Sequence, residues 1–259
     1  MVTLPLFSQE EEAAAAEERD AGEEKLASIE ERLLARDGPP RPRNFWDPLK
    51  ELIFVLISAR TRTEVSLAVL AELELRYAAA LGNWTRLRDA PEQAVLTLLA
   101  PVTFSEKKAP ALQAALRRIT RQTGGALSLD FFAGQPVERI RRWLESFEGV
   151  GARGSAAVVN HSALRLRALA VDGHHHRIAQ RLGFVGRSAT AAETEQKLLS
   201  LLPEARWPPA RLTAMHDLLK LHGQIRCTSN DWQRHCAACP LLPLCPTGTA
   251  TVDNVETPE

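Results

Sequence analysis

The stretch Ser146–Asn160, SFEGVGARGSAAVVN, sets two glycines around a valine, Gly149-Val150-Gly151, and follows them with Arg153. Upstream, Val137, Ile140, Leu144 and Phe147 recur at spacings of three and four, the period of a helix that buries one face. A second helix follows, so the stretch reads as helix, glycine turn, helix. Glycine permits positive φ and close approach of another backbone. The second helix then starts with free amides and the positive end of its dipole facing outward, a phosphate site that needs no side chain. A plain helix–turn fits the same residues equally well. Arg153 is open to three readings: a surface charge, a phosphate clamp or an altered catalytic residue.

Helical periodicity continues on both sides. Asp47-Pro48 opens a strongly apolar helix, with Asp as N-cap and Pro in the first position. Further helices are predicted over 24–36, 65–81, 91–99, 107–121, 136–147, 172–182, 190–202 and 212–222. No alternating strand pattern occurs, and the fold class is all-α. Residues 37–43 (DGPPRPR) form a linker. The longest apolar run, LIFVLISA at 52–59, is far short of a membrane span. The first twenty residues have neither the basic start nor the apolar stretch of a secretory signal, so a cytoplasmic, monomeric protein with no membrane contact is expected.

The formal net charge of zero conceals a segregation. Residues 1–24 hold eight acidic groups and one basic, which leaves 31 basic against 24 acidic in residues 25–259. A basic body with an acidic tail is compatible with a nucleic-acid partner. The tail, 1–24, is expected to be disordered, being acidic and without a buriable face. All four cysteines fall between Cys227 and Cys245, spaced C-x8-C-x2-C-x5-C through Cys236 and Cys239. Such crowding points to metal ligation rather than disulfides. Four thiolates suit an iron–sulfur cluster, and zinc remains the alternative.

Taken together, FEGVGARGSAAVVN, ALAVDGHHHRI, DPLKELIFVLISARTR and LHGQIRC leading into the cysteine loop resemble the endonuclease III superfamily of DNA base-excision glycosylases, from about Asp47 to Pro246. The resemblance implies two helical lobes around a DNA cleft. One is a six-helix barrel with the helix–hairpin–helix (46–166). The other is a cluster lobe (25–45 and 167–248), followed by a C-terminal tail (249–259). It also implies a [4Fe–4S] cluster on Cys227, Cys236, Cys239 and Cys245, although the first gap is two residues longer than the family's. The partner would be double-stranded DNA with a damaged or mispaired base, oxidised pyrimidines being the family's common targets.

Site residues follow from the same resemblance. Asp172 matches the catalytic aspartate, whose charge stabilises an oxocarbenium-like sugar; it also suits a helix N-cap. Arg153 falls where bifunctional members carry a Schiff-base lysine. Arginine stays protonated and offers no usable lone pair, so a monofunctional glycosylase is expected. The alternatives are weak lyase activity from another amine, Lys107 or Lys108, and a non-catalytic DNA-damage binder. Gly149, Val150 and Gly151 would meet the DNA backbone. Arg60 matches a polar residue that fills the gap left by a flipped base, Phe104 falls near an apolar wedge, and His174 matches a histidine beside the aspartate. Gly154 and Gly173 stand where the family has threonine, which is expected to remove bulk near the pocket.

Overall fold

The computed structural model describes residues 9–78 and 84–256. Its helices are α1 (Gln9–Asp37), α2 (Pro48–Ser58), α3 (Thr63–Leu73), α4 (Thr85–Asp89), α5 (Glu92–Leu99), α6 (Ser105–Gln122), α7 (Val137–Glu145), α8 (Ala152–His161), α9 (Gly173–Arg181), α10 (Ala191–Leu201), α11 (Pro209–Ile225) and α12 (Pro246–Glu256). No strand occurs among the described residues; a single parallel bridge joins Trp46 to Ser162. No described helix is long and apolar enough to cross a membrane.

Two compact units divide the chain, one drawn from Met1–Pro42 and Val171–Glu259, the other Arg43–Ala170. The expected boundaries at 46 and 166 therefore move outward by a few residues. In the second unit α2 is the central element and packs against α3, α6 and α8. Its sequence explains this position. Leu52, Ile53 and Ile57 are fully buried, so the helix is apolar on nearly every side, as a core helix must be. Asp47 starts it as expected: Oδ1 accepts the N–H of Leu49 at 2.8 Å and of Lys50 at 3.4 Å, with Pro48 in the first turn. After α3 the chain widens into a π turn, Glu74–Ala78, where a continuous helix to Leu81 was expected; residues 79–83 lie outside the described ones. The short α4 had no strong periodicity and was not foreseen.

In the first unit α1 packs on α10 and α11, and α11 on α9. Here the expectation of a disordered tail is corrected: α1 begins at Gln9, and only residues 1–8 of that segment lie outside the described ones. Alanine and glutamate are strong helix formers, and acidic side chains favour a helix start. Acidic residues of the segment also meet specific partners far along the chain. Glu18 pairs with Lys197 at 2.5 Å, and buried Glu23 accepts the Trp207 indole N–H at 3.1 Å and pairs with Arg206. At Gly22 a Cβ would stand 2.7 Å from a Leu201 methyl, so the missing side chain permits this packing. The C-terminal tail is likewise corrected: residues 246–256 form α12, with Pro246 in its first position.

Candidate functional site

In the unit Arg43–Ala170, α7 and α8 form the hairpin. Gly149 has φ +86°, which only glycine adopts without strain, and a Cβ there would make an ordinary 3.6 Å contact with Leu56. Gly151 is different. Its backbone is extended, and a Cβ would meet nothing within 4 Å. What its bareness does is leave the first amides of α8 uncovered; no side chain caps that helix. Val150 is 5% exposed, so its side chain anchors the turn in the core and only its backbone is left to meet a ligand. Arg141 braces the turn, with Nε on Ser155 Oγ at 3.1 Å and Nη2 on the Ala152 carbonyl at 3.1 Å.

Arg153 is exposed in the first turn of α8. The next residue corrects an expectation. A Cβ on Gly154 would stand 2.8 Å from Val55 Cγ1, so this glycine brings α8 against α2 and opens no pocket. One turn before Val55 on α2 sits Glu51, which the sequence reading passed over. It is 3% exposed, and burial raises its carboxyl to about 7 against the pull of Arg43 and Arg153. The adjacent charges Lys50 and Glu51 at the start of a long apolar run read as surface; the signal available was the place of Glu51 four residues before Val55, within the buried stripe.

Arg60 and Phe104, 44 positions apart in sequence, come together. Both are exposed, both adopt left-handed backbone (φ 56° and 60°), and the guanidinium lies 5.9 Å from the ring centroid. Left-handed geometry is uncommon outside glycine and marks loops held by their surroundings. Lys108 does the holding. Its Nζ donates to the carbonyls of Ile57 (2.8 Å) and Ala59 (2.6 Å) and to Thr61 Oγ1 (3.2 Å), while Thr61 Oγ1 accepts the Thr103 N–H at 3.0 Å. These contacts tie the Lys108 ammonium to the end of α2 and its loop, while burial lowers its pKa. Lys107 is exposed at the start of α6.

In the other unit Asp172 is the N-cap of α9 and 8% exposed. Its Oδ1 accepts the N–H groups of His174 and His175, each at 2.9 Å, which fixes the carboxylate plane. The three histidines diverge. His174 receives Arg177 Nη2 at 3.2 Å and leans on Gly223, where a Cβ would stand 2.7 Å from its own. His175 is buried, 6.0 Å from the His216 ring, and burial lowers its pKa to about 4. His176 Nδ1 meets Thr194 Oγ1 at 2.8 Å. At Gly173 a Cβ would have open space.

The four cysteines line one pocket with Ile178, Leu182, Leu241 and Leu242. Among the described residues no three Cys, His, Asp or Glu side chains are arranged to hold a single metal ion. Burial, and then the charge of neighbouring cysteines, raises the Cys236 and Cys245 thiols; burial also raises Cys239. Four thiolates on an apolar wall therefore need a cationic partner, a donor set that fits an iron–sulfur cluster. Arg181 supplies part of the surroundings: Nη1 donates to Cys227 Sγ at 3.0 Å, and the guanidinium lies 4.0 Å from the Trp232 ring centroid. Trp232 stands in the longer first gap. Arg177 donates to the Cys227 carbonyl from Nε (3.0 Å) and Nη2 (2.9 Å), which links His174 to the loop. Neither arginine was flagged from sequence, because arginines on a helix read as solvated.

Comparison with known proteins gives a consistent picture. The family described as HhH-GPD superfamily base excision DNA repair protein matches residues 53–204. Endonuclease III of Thermotoga maritima is 31% identical over 170 residues, covering 66% of this chain and 72% of that protein. Endonuclease III homolog 2, chloroplastic, of Arabidopsis thaliana is 26% identical over 209 residues, covering 80% of this chain and 49% of that protein. The chain thus spans about half the length of the two Arabidopsis endonuclease III homologs it matches. Among solved structures, a non-covalent endonuclease III–DNA complex superposes with TM-score 0.70 at 22% identity, over 90% of this chain and 98% of that one. A thermostable thymine-DNA glycosylase gives 0.67 at 18%, over 91% and 99%. These likenesses show a shared all-α fold.

Proposed function

Because the chain belongs to the HhH-GPD superfamily of base-excision DNA repair proteins, we propose that it cleaves the N-glycosidic bond of a damaged or mispaired base in duplex DNA. The observation that carries this reading is Asp172. A nearly buried carboxylate is held at one oxygen by two backbone N–H groups, at the motif position of the family's catalytic aspartate.

As the base leaves, positive charge grows on the sugar, and the Asp172 carboxylate stabilises it. The C1′–N bond breaks with its electron pair passing to the base, which takes up a proton from solvent. Water adds at C1′ and gives its proton to the carboxylate, which releases it to solvent. Arg153, at the lysine position, stays cationic and forms no Schiff base. Its role is to bind phosphate beside the bare amides of α8. Arg60 and Phe104 are exposed on adjoining loops in a way that supports insertion into the gap of an extruded nucleotide. Cys227, Cys236, Cys239 and Cys245 would hold a [4Fe–4S] cluster, which ties their loop to α9. The protein acts on DNA as a cytoplasmic monomer.

The test is incision of oligonucleotides carrying oxidised pyrimidines or mispaired thymine, with and without alkali. Breaks that appear only after alkali, with no borohydride-trapped complex, are expected. Breaks without alkali together with efficient trapping would overturn the monofunctional reading. Binding should weaken as salt rises, because phosphate contacts release counterions.

A further inference from the structure

The cysteine pocket is built unevenly, with its strongest outer contact on the first cysteine. Cys227 Sγ accepts Arg181 Nη1 at 3.0 Å, and the same nitrogen donates to the Thr228 carbonyl at 2.9 Å. A charged donor makes a stronger bond to a thiolate than a neutral one. Cys245 Sγ accepts the neutral Gly248 N–H at 3.3 Å, and Cys239 Sγ lies 3.8 Å from His222 Nε2. Arginine keeps such an aim only where its long side chain is held, because ordering it costs rotamer freedom. Trp232 stands in the position to hold it. Its ring centroid lies 4.0 Å from the Arg181 guanidinium, a stacking distance. The gap between Cys227 and Cys236 is shaped around that ring. Asp231 before it takes left-handed backbone (φ 53°), and the Trp232 carbonyl accepts the His235 N–H at 3.0 Å. Arg181 and Trp232 both line the pocket with the four cysteines.

We propose that Trp232 is a positioning residue that holds Arg181 on the first cysteine and so raises the reduction potential of the cluster. The inference rests on the reading of the four cysteines as [4Fe–4S] ligands and deepens it. Reduction adds negative charge to a cluster and its thiolates. A cationic N–H on Cys227 Sγ stabilises the more negative state, so losing it lowers the potential. Without the ring, Arg181 gains rotamers that leave the sulfur, and the potential falls through the arginine. A tryptophan that only screened the pocket from water would act with the opposite sign, since admitted water stabilises the more highly charged, reduced state. The sign of the change therefore separates holding from screening.

The experiment is voltammetry of the full-length holoprotein on an electrode, with iron, sulfide and zinc measured on the same preparations. Trp232→Ala and Arg181→Gln should each shift the potential downward. Trp232→Phe, which keeps a ring against the guanidinium, should stay close to the wild-type value. In the Arg181→Gln background Trp232→Ala should lower the potential no further, because the two residues act as one unit. If Arg181→Gln fails to retain iron, the alanine and phenylalanine variants at position 232 carry the test. A Trp232→Ala potential equal to or above wild type, or a Trp232→Phe potential as low as that of Trp232→Ala, would overturn the inference while leaving the cluster in place. Wild-type protein that carries zinc and no iron would overturn the cluster reading, and this inference with it.

Discussion

The Asp172 carboxylate accepts two backbone N–H groups through Oδ1, and asparagine can do the same while losing the charge. Asp172→Asn should therefore keep the melting temperature within about 2 °C and cut base excision by at least about 100-fold. Asp172→Ala should lose excision and in addition about 1 kcal/mol of stability with the cap. Equal activity in wild type and the asparagine variant would remove the catalytic role. Arg153→Lys tests the neighbouring assignment: a lysine can shed its proton, so this single change should produce a borohydride-trapped complex that the wild type lacks. The N-cap place of Asp172, the first-turn place of Arg153 and the gathering of the cysteines were legible in sequence because each lies in a run of neighbours that constrains it. Glu51, Arg177 and Arg181 were not, because their meaning comes from partners up to 102 positions away.

At the scale of elements, the α2–α8 contact depends on glycine more than on any polar group. Val55 is β-branched and has little rotamer freedom inside a helix, so it cannot swing clear of a new side chain. Gly154→Thr should cost about 1–3 kcal/mol through overpacking, although threonine outranks glycine as a helix former. Adding Val55→Ala should recover part of that loss, and chemical denaturation of the two single variants and the double variant measures the coupling. A Gly154→Thr protein as stable as the wild type would show that α8 is free to shift. The reading of Gly154 as removed bulk failed here because sequence shows which side chain is missing but not what occupies its place. The acidic start of α1 was misjudged in the same way. Composition alone describes a solvated tail, whereas Lys197, Arg206 and Trp207, which anchor the helix, come more than 170 residues later.

Across the whole molecule the helical periodicities were legible because they are local, and the least legible features are buried ionisable groups, of which Glu51 and His175 are an example from each compact unit. Glu51 lies in the unit Arg43–Ala170 and His175 in the other. Their effects on stability have opposite sign. Glu51 has a native pKa near 7 against an ordinary value of 4.5, so its contribution is full below about 4.5 and is lost as pH rises to 7. His175 has a native pKa near 4 against 6.5, so its contribution is full above 6.5 and is lost as pH falls to 4. Each shift corresponds to at most about 3 kcal/mol. Hydrogen exchange followed peptide by peptide should therefore show protection of α2 falling and protection of α9 rising as pH increases from about 4.5 to 7, after correction for the intrinsic exchange rate. Glu51→Gln should flatten the first trend and leave the second, and His175→Leu should lessen the second, which His222 of α11 shares, and leave the first. Parallel trends in both helices, or either variant flattening both, would mean that the two groups do not act within their own units.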